Sequence, residues 1–155
     1  LRTNADLRAD IMPAVRTPEV YGLYERYIRL RHDDGDMYPP SKAQFDAFLA
    51  AAWSPTRFVG FRDPGERLLA VAVIDTLGDG LSAIYTFFEP DPEATRRSLG
   101  TYAILWQIEE TRRLGLDYVY LGYWIRDSAK MRYKLDFRPA ELFTGSSWRR
   151  LDREP

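Results

Sequence analysis

Three apolar runs joined by two tight turns limit what this chain can fold into. TRFVGFR (56–62) turns at Asp63-Pro64-Gly65, RLLAVAVIDTL (67–77) turns at Gly78-Asp79-Gly80, and LSAIYTFFEP (81–90) ends at Pro90 and Pro92. Runs of this length, rich in β-branched and aromatic residues and punctuated by Gly, Pro and Asp, predict an antiparallel meander. Strict alternation from Leu81 to Phe88 would place Ser82, Ile84, Thr86 and Phe88 on one face, and Ala83, Tyr85 and Phe87 on the other.

Helical periodicity flanks the meander. In PEVYGLYERYIRLRH (18–32) the residues Val20, Leu23, Tyr24, Tyr27 and Ile28 fall on one stripe, and Gly35, Pro39 and Pro40 break the pattern. Ser41 is the expected cap of a helix over KAQFDAFLAAAW, with Phe45, Phe48 and Leu49 turned inward. A longer helix is predicted over 98–116, with Leu99, Tyr102, Ala103 and Trp106 on its apolar stripe and Gly115 as its stop. DYVYLGYWI predicts a buried strand, RDSAKMRYKLDF a short helix, and PAELFTGSSWRRL one or two closing strands. A strand–helix–strand step after a meander gives an α+β fold, a mixed and mostly antiparallel sheet flanked by helices.

Composition narrows function by exclusion. At 155 residues, with 45% hydrophobic and 29% charged, the chain is sized for one globular domain. The run LLAVAVI is too short to cross a membrane, and LRTNADLRADI lacks the basic-then-apolar layout of a signal peptide. With no cysteine and one histidine, neither a disulfide nor a thiolate or His-rich metal site is expected, and a cytoplasmic setting fits. A net charge of −1 argues against broad DNA binding but leaves room for a local phosphate site.

Four constellations could carry chemistry. The turn EPDPEATRRSLGTY (89–102) sets Arg96, Arg97, Ser98 and Gly100 at a helix N-terminus, where free N–H groups and the dipole favour an anion. A Ser98 cap with solvated arginines fits that spacing equally well. In RLRHDDGDMY (29–38), His32 is the side chain whose ordinary pKa, about 6.5, lies near neutrality, and it stands among Asp33, Asp34 and Asp36 as a proton acceptor would. The plainer account is a helix-terminal histidine followed by a polar turn. Asp75 lies within an apolar strand and is harder to assign to the surface than Asp79, whose Asp-Gly pair is turn chemistry. Finally, in YVYLGYWIRDSAKMRYK (118–134) Arg126, Lys130 and Lys134 are spaced by four. On a helix they would share one face able to track a phosphodiester, beside Tyr123 and Trp124 as stacking surfaces. A solvated helix face beside core aromatics is the alternative.

RHDDGDMYPPS, AVAVIDTLGDGLSAIYTFFEP, RRSLGTYAILWQIE and YVYLGYWIRDSAKMRYKLDFRPAEL together resemble the C-terminal catalytic domain of the arginyl-tRNA–protein transferases, and within them the bacterial leucyl branch. The order of elements likewise resembles the N-acetyltransferase-like (GNAT-like) acyltransferase fold. The resemblance implies ribosome-independent transfer of an aminoacyl group, leucyl rather than arginyl, from aminoacyl-tRNA to proteins with N-terminal Asp or Glu. The product would be an N-degron.

The same resemblance implies roles. Arg96, Arg97, Ser98, Gly100, Arg126, Lys130 and Lys134 would hold the tRNA acceptor end, and Tyr123, Trp124 and Tyr133 would line its terminal adenosine or the aminoacyl pocket. Ile84, Tyr85, Phe87 and Met131 would suit a leucyl group. Arg31 would read the acceptor's side-chain carboxylate, Asp75 or Asp36 its α-ammonium, and His32 would accept the proton, unless the reaction is substrate-assisted. In the family a cysteine-rich region associated with metal or iron–sulfur binding precedes this domain. Residues 1–18 then read as a link and 19–155 as the catalytic domain, with no cofactor in this chain. Ser128 stands where relatives carry a cysteine, so no thiolate relay is expected. Tyr102 is bulky for a coenzyme-A-type turn. Two other readings stay open, an acyl-CoA-dependent N-acyltransferase and a non-catalytic module binding tRNA or degrons.

Overall fold

The computed structural model describes residues 2–50 and 54–151. Residues to Tyr120 form one compact unit, and Leu121 onward a second, smaller one. In the first, β1 (Arg8–Pro13), β2 (Thr56–Arg62), β3 (Leu68–Thr76), β4 (Gly80–Phe88) and β5 (Tyr118–Tyr120) lie side by side in that order. All neighbours are antiparallel except β4 and β5, which are parallel. The expected α+β architecture with a mixed, mostly antiparallel sheet is thus the one observed.

The meander forms as predicted. Its middle strand, β3, is buried from Leu68 to Ile74, which is why LLAVAVI reads as an unbroken apolar run and not as an alternating one. One face packs on α1 (Pro18–Arg31) and α2 (Lys42–Leu49), where Val20, Leu23, Tyr24, Ile28, Phe45 and Leu49 meet Phe58, Val71, Val73 and Phe87. The other packs on α3 (Pro92–Arg96) and α4 (Leu99–Arg113), with Leu99, Tyr102 and Ala103 against Val59, Phe61, Ala70, Ala72 and Ile74. The two helices of the first face start from side-chain caps: Thr17 accepts from the Val20 N–H and Ser41 from the Gln44 N–H.

Several expectations change. The segment read as a link, 1–18, contains β1, which pairs residue for residue with β2; its length and mixed polarity hid it. Phe48 is not inward: α2 buries Phe45 and Leu49 but leaves Phe48 49% exposed. The stretch 51–53 of that predicted helix lies outside the described residues. β5 is a three-residue edge strand, not a buried one, and Tyr118 is exposed. Its junction depends on Gly80, where a Cβ would collide with the Tyr118 carbonyl.

Alternation along β4 fails at one residue. Val73 pairs with Tyr85 and Ile74 with Ala83, so Ile84 is an extra residue, a β-bulge. Cross-strand partners share a face. Tyr85 and Phe87 therefore join the α1–α2 face with Val73 and Val71, while Ala83 follows Ile74 to the α4 face.

In the second unit, RDSAKMRYKLDF is not an α-helix beginning at Arg126. It is a 3-10 helix over Ala129–Asp136 without a buried residue. β6 (Glu141–Phe143) and β7 (Trp148–Arg150) close the chain as a hairpin. No described helix is long and apolar enough to cross a membrane.

Candidate active site

The α1–α2 face of the sheet gathers an aromatic cluster at the C-terminal end of α1. Helix α1 ends at Arg31, and His32, its C-cap, folds back so that Nε2 lies 3.0 Å from the Tyr27 hydroxyl. The Tyr27 ring packs against Phe88 at 4.9 Å and edge-on to Tyr85 at 6.4 Å. Tyr85 meets the exposed Phe48 edge-on at 6.0 Å. Burial, with smaller contributions from the neighbouring Tyr27 and Tyr24 phenols, holds the Tyr85 hydroxyl well above the usual tyrosine range, so it stays a neutral hydrogen-bonding group.

Arg31 lies at the rim of this cluster with its guanidinium 5.3 Å over the Phe88 ring. Its neighbours on α1 are neutralised: Arg26 forks onto Glu89 at 2.8–3.1 Å and Arg29 meets Glu25 at 3.1 Å. Arg31 has no carboxylate partner among the described residues. A cation stacked on a ring keeps its in-plane N–H donors for a ligand. Asp75 lies on the same sheet face, opposite Thr56 and Ser82. Its two oxygens accept from Ser54 at 2.9 Å and Thr56 at 2.7 Å, which fixes the carboxylate as a positioned anion. Asp36 is not brought into this cluster. It is exposed in the turn after α1, and its backbone carbonyl takes the Gln44 amide at 3.4 Å.

The leucyl-pocket residues separate. Ile84 on the bulge and Tyr85 are accessible, whereas Phe87 is fully buried in the core. Met131 is half-buried in the second unit.

The α4 N-terminus is built differently from the expectation. Ser98 does not cap it; it sits in the left-handed region at φ 50° and makes no side-chain cap bond. Arg97 is also committed. Its Nε donates to the buried Asn4 at 2.8 Å, another guanidinium nitrogen pairs with Asp6, and its carbonyl accepts from Asn4 at 2.9 Å. Arg96 is exposed and beside a cavity of about 130 Å³ that Asn4, Ser98, Thr101 and Tyr102 also line. Tyr102 packs edge-on to Phe61 at 5.3 Å as a core residue, so its bulk no longer argues against an anion at this turn. Gly100 faces the sheet: a Cβ there would lie 3.3 Å from Phe88 Cε1.

In the second unit the predicted stripe dissolves. Arg126 precedes the 3-10 helix, and at three residues per turn Lys130 and Lys134 point in different directions. Lys134 donates to the Tyr123 carbonyl at 2.7 Å and lies 5.7 Å over the Tyr123 ring, and burial holds its pKa below the ordinary lysine value. It ties the loop closed. Arg126, Lys130 and Tyr133 are exposed, Tyr123 is 74% exposed, and Trp124 is half-buried with its Nε1 shielded and unbonded among the described residues.

Tyr27, Phe88, Phe48, Ser54 and Thr56 escaped the sequence analysis as site residues. Their roles come from ring and hydroxyl contacts between distant segments, and no local spacing signals them.

Residues 19–144 match the family model described as arginine-tRNA-protein transferase, C terminus. The chain is 55% identical over 149 residues to an aspartate/glutamate leucyltransferase of Alcanivorax borkumensis, covering 96% of this chain and 60% of that protein. It is 50% identical over 152 residues to one of Teredinibacter turnerae (98% and 62%) and 56% identical over 147 residues to one of Chromohalobacter salexigens (95% and 59%). The chain thus spans about 60% of the length of these relatives. The match covers both the aromatic cluster and the basic segment, and the chain belongs to the arginine-tRNA-protein transferase C-terminal family.

Proposed function

We propose that this chain transfers an aminoacyl group, leucyl in preference to arginyl, from aminoacyl-tRNA to the α-amine of proteins beginning with Asp or Glu. The observation that carries the proposal is Arg31. It is a cation without a carboxylate partner among the described residues, stacked on Phe88 and adjacent in sequence to His32. That arrangement suits an acceptor whose first side chain is a carboxylate. Asp75 lies five residues along β3 from Ala70, the partner of Phe88, roughly 17 Å away, too far to take the α-ammonium of a residue whose side chain Arg31 reads. Ile84, Tyr85 and Phe48 offer apolar surface for the leucyl side chain. The relatives' names give leucyl transfer and aspartate or glutamate, and the family description names tRNA and protein.

The reaction is an aminolysis of an ester. The amine nitrogen bonds to the aminoacyl carbonyl carbon, the bond from that carbon to the ribose oxygen breaks, and the departing oxygen takes a proton. His32 accepts the proton lost by the amine. For that its Nδ1 must be the basic nitrogen, with Nε2–H donating to the Tyr27 hydroxyl. The ester is already activated, so no nucleotide is consumed, and placing the amine against the carbonyl is the larger part of catalysis. Arg96, the uncapped turn from Ser98 to Gly100, Arg126 and Lys130 are assigned to tRNA phosphates, and Tyr123, Trp124 and Tyr133 to its terminal nucleoside.

The bulge at Ile84 and the parallel pairing of β4 with β5, which ends at Ser82 and Tyr120, support a GNAT-like reading of the fold. We further assign residues 19–155 as the catalytic domain, a cytoplasmic setting, an N-degron as product, and no cofactor held by this chain.

The test is a transfer assay with Leu-tRNA and Arg-tRNA supplied separately to the 155-residue chain, and with acceptor peptides beginning with Asp, Glu or Ala. Leucine on the Asp and Glu peptides and not on Ala is the expected result. Transfer to all three alike, or to none, would sink the proposal for this chain.

A further inference from the structure

We propose that Phe88 is a positioning residue that sets the acceptor-reading guanidinium of Arg31, and that Gly100 is glycine because Phe88 needs the space. The inference rests on the role assigned to Arg31 under the transferase reading and adds what holds that residue in place.

Phe88 closes β4 and touches three groups with different duties. The Arg31 guanidinium lies over its ring at 5.3 Å, and the Tyr27 ring, whose hydroxyl meets His32, packs on it at 4.9 Å. Its Cε1 faces Gly100 in the first turn of α4, where a Cβ would come within 3.3 Å. Phe88 is also partly buried against the cores of both sheet faces. A ring clamped on several sides is a fixed plane. Arg31 is exposed and makes no ion pair among the described residues, so that plane restrains a side chain otherwise able to sample many rotamers.

Two consequences follow from geometry. Replacing the ring by a branched aliphatic chain removes the face on which the guanidinium rests, while Tyr at the same place keeps it. Adding a methyl at Gly100 presses on Phe88 Cε1, so the ring on which Arg31 rests must give by a few tenths of an ångström. Gly100 therefore acts on acceptor recognition through Phe88, although it lies in a turn whose position suggests phosphate binding.

The experiment measures binding of fluorescent peptides beginning with Asp or Ala to the 155-residue chain in the presence of uncharged tRNA. The variants are Phe88→Leu, Phe88→Tyr and Gly100→Ala, each checked for folding by circular dichroism. The readout is the ratio of Asp-peptide to Ala-peptide affinity, which a general loss of stability would not change selectively. Phe88→Leu is expected to lower that ratio about two- to fivefold, the worth of a cation–ring contact at an exposed site. Phe88→Tyr should preserve it, and Gly100→Ala should lower it in the same direction by less. If Phe88→Leu does not fold, Gly100→Ala decides. A folded Phe88→Leu that keeps the wild-type ratio, or a Gly100→Ala that leaves it unchanged when Phe88→Leu is unfolded, overturns the inference and leaves the transferase reading standing. A wild-type chain that binds both peptides alike overturns the role of Arg31 itself, and the inference with it.

Discussion

The Nε2 of His32 lies 3.0 Å from the Tyr27 hydroxyl, across the end of the helix that carries both residues. Tyr27 is nearly buried and its ring is held by Phe88 and Tyr85, so the hydroxyl is a fixed point against which the imidazole is oriented. Tyr27→Phe keeps the ring and deletes that point. The expected outcome is a loss of roughly tenfold in kcat, about one hydrogen bond of orientation, with KM for aminoacyl-tRNA unchanged. Steady-state kinetics on the purified variant measure this, and a wild-type kcat would remove His32–Tyr27 from the chemistry.

Arg96 and Arg97 are adjacent in sequence and opposite in role. Arg97 is held by Asn4 and Asp6, whereas Arg96 is exposed at the α4 turn. Arg96→Ala should weaken tRNA binding and reduce the slope of log affinity against log salt by about 1, with little change in melting temperature. Arg97→Ala should instead lower the melting temperature, because it removes the guanidinium donor to the Oδ1 of the buried Asn4, which keeps only its bond to the residue 97 carbonyl. Filter binding across a salt series and thermal melts separate the two.

Phe45 and Phe48 lie on one short helix, the first fully buried and the second half-exposed against Tyr85. Phe45→Ala should cost about 3–5 kcal/mol of stability. Phe48→Ala should cost about 1 kcal/mol or less, and raise KM for Leu-tRNA more than for Arg-tRNA by removing part of the apolar wall. Denaturant melts and paired kinetics with the two donors check both statements.

Asp91 caps α3. Its carboxyl is held below the usual range, first by the Ala94 N–H at 2.7 Å and also by Arg67 at 2.9 Å. Its folded-state pKa is the lower one, so its contribution to stability is complete above the ordinary aspartate value of about 3.9 and is lost as pH falls through the folded value. Asp91→Asn keeps a capping oxygen but cannot titrate. Between pH 5 and pH 3 its melting temperature should fall less than that of the wild type.

Gly80 brings β4 and β5 together, since a Cβ there would meet the Tyr118 carbonyl. Gly80→Ala should detach the three-residue β5 and raise amide exchange at Tyr118–Tyr120 well before global unfolding. Hydrogen-exchange mass spectrometry reads this directly, and unchanged protection of that segment would contradict it.

Much of the fold was legible in the sequence because it rests on local rules. The three meander strands, α1, the Ser41-capped α2, the long α4 and its stop at Gly115 follow from periodicity and from turn and cap residues that act within a few positions. The four motif blocks likewise carry the family without any geometry. Tertiary structure decided what depends on neighbours far along the chain. β1 exists because β2 offers it a partner, Phe48 turns out because Phe45 and Leu49 fill the space beneath α2, and the single extra residue at Ile84 sends Tyr85 to one face and Ala83 to the other. The same distinction divides the cations: sequence places Arg31, Arg96, Arg97 and Lys134 in plausible motifs. Only packing shows that Arg97 and Lys134 are spent on Asn4, Asp6 and Tyr123, while Arg31 rests on a ring with no carboxylate partner among the described residues. A charge's availability is a property of what surrounds it in space, and that information is non-local by nature.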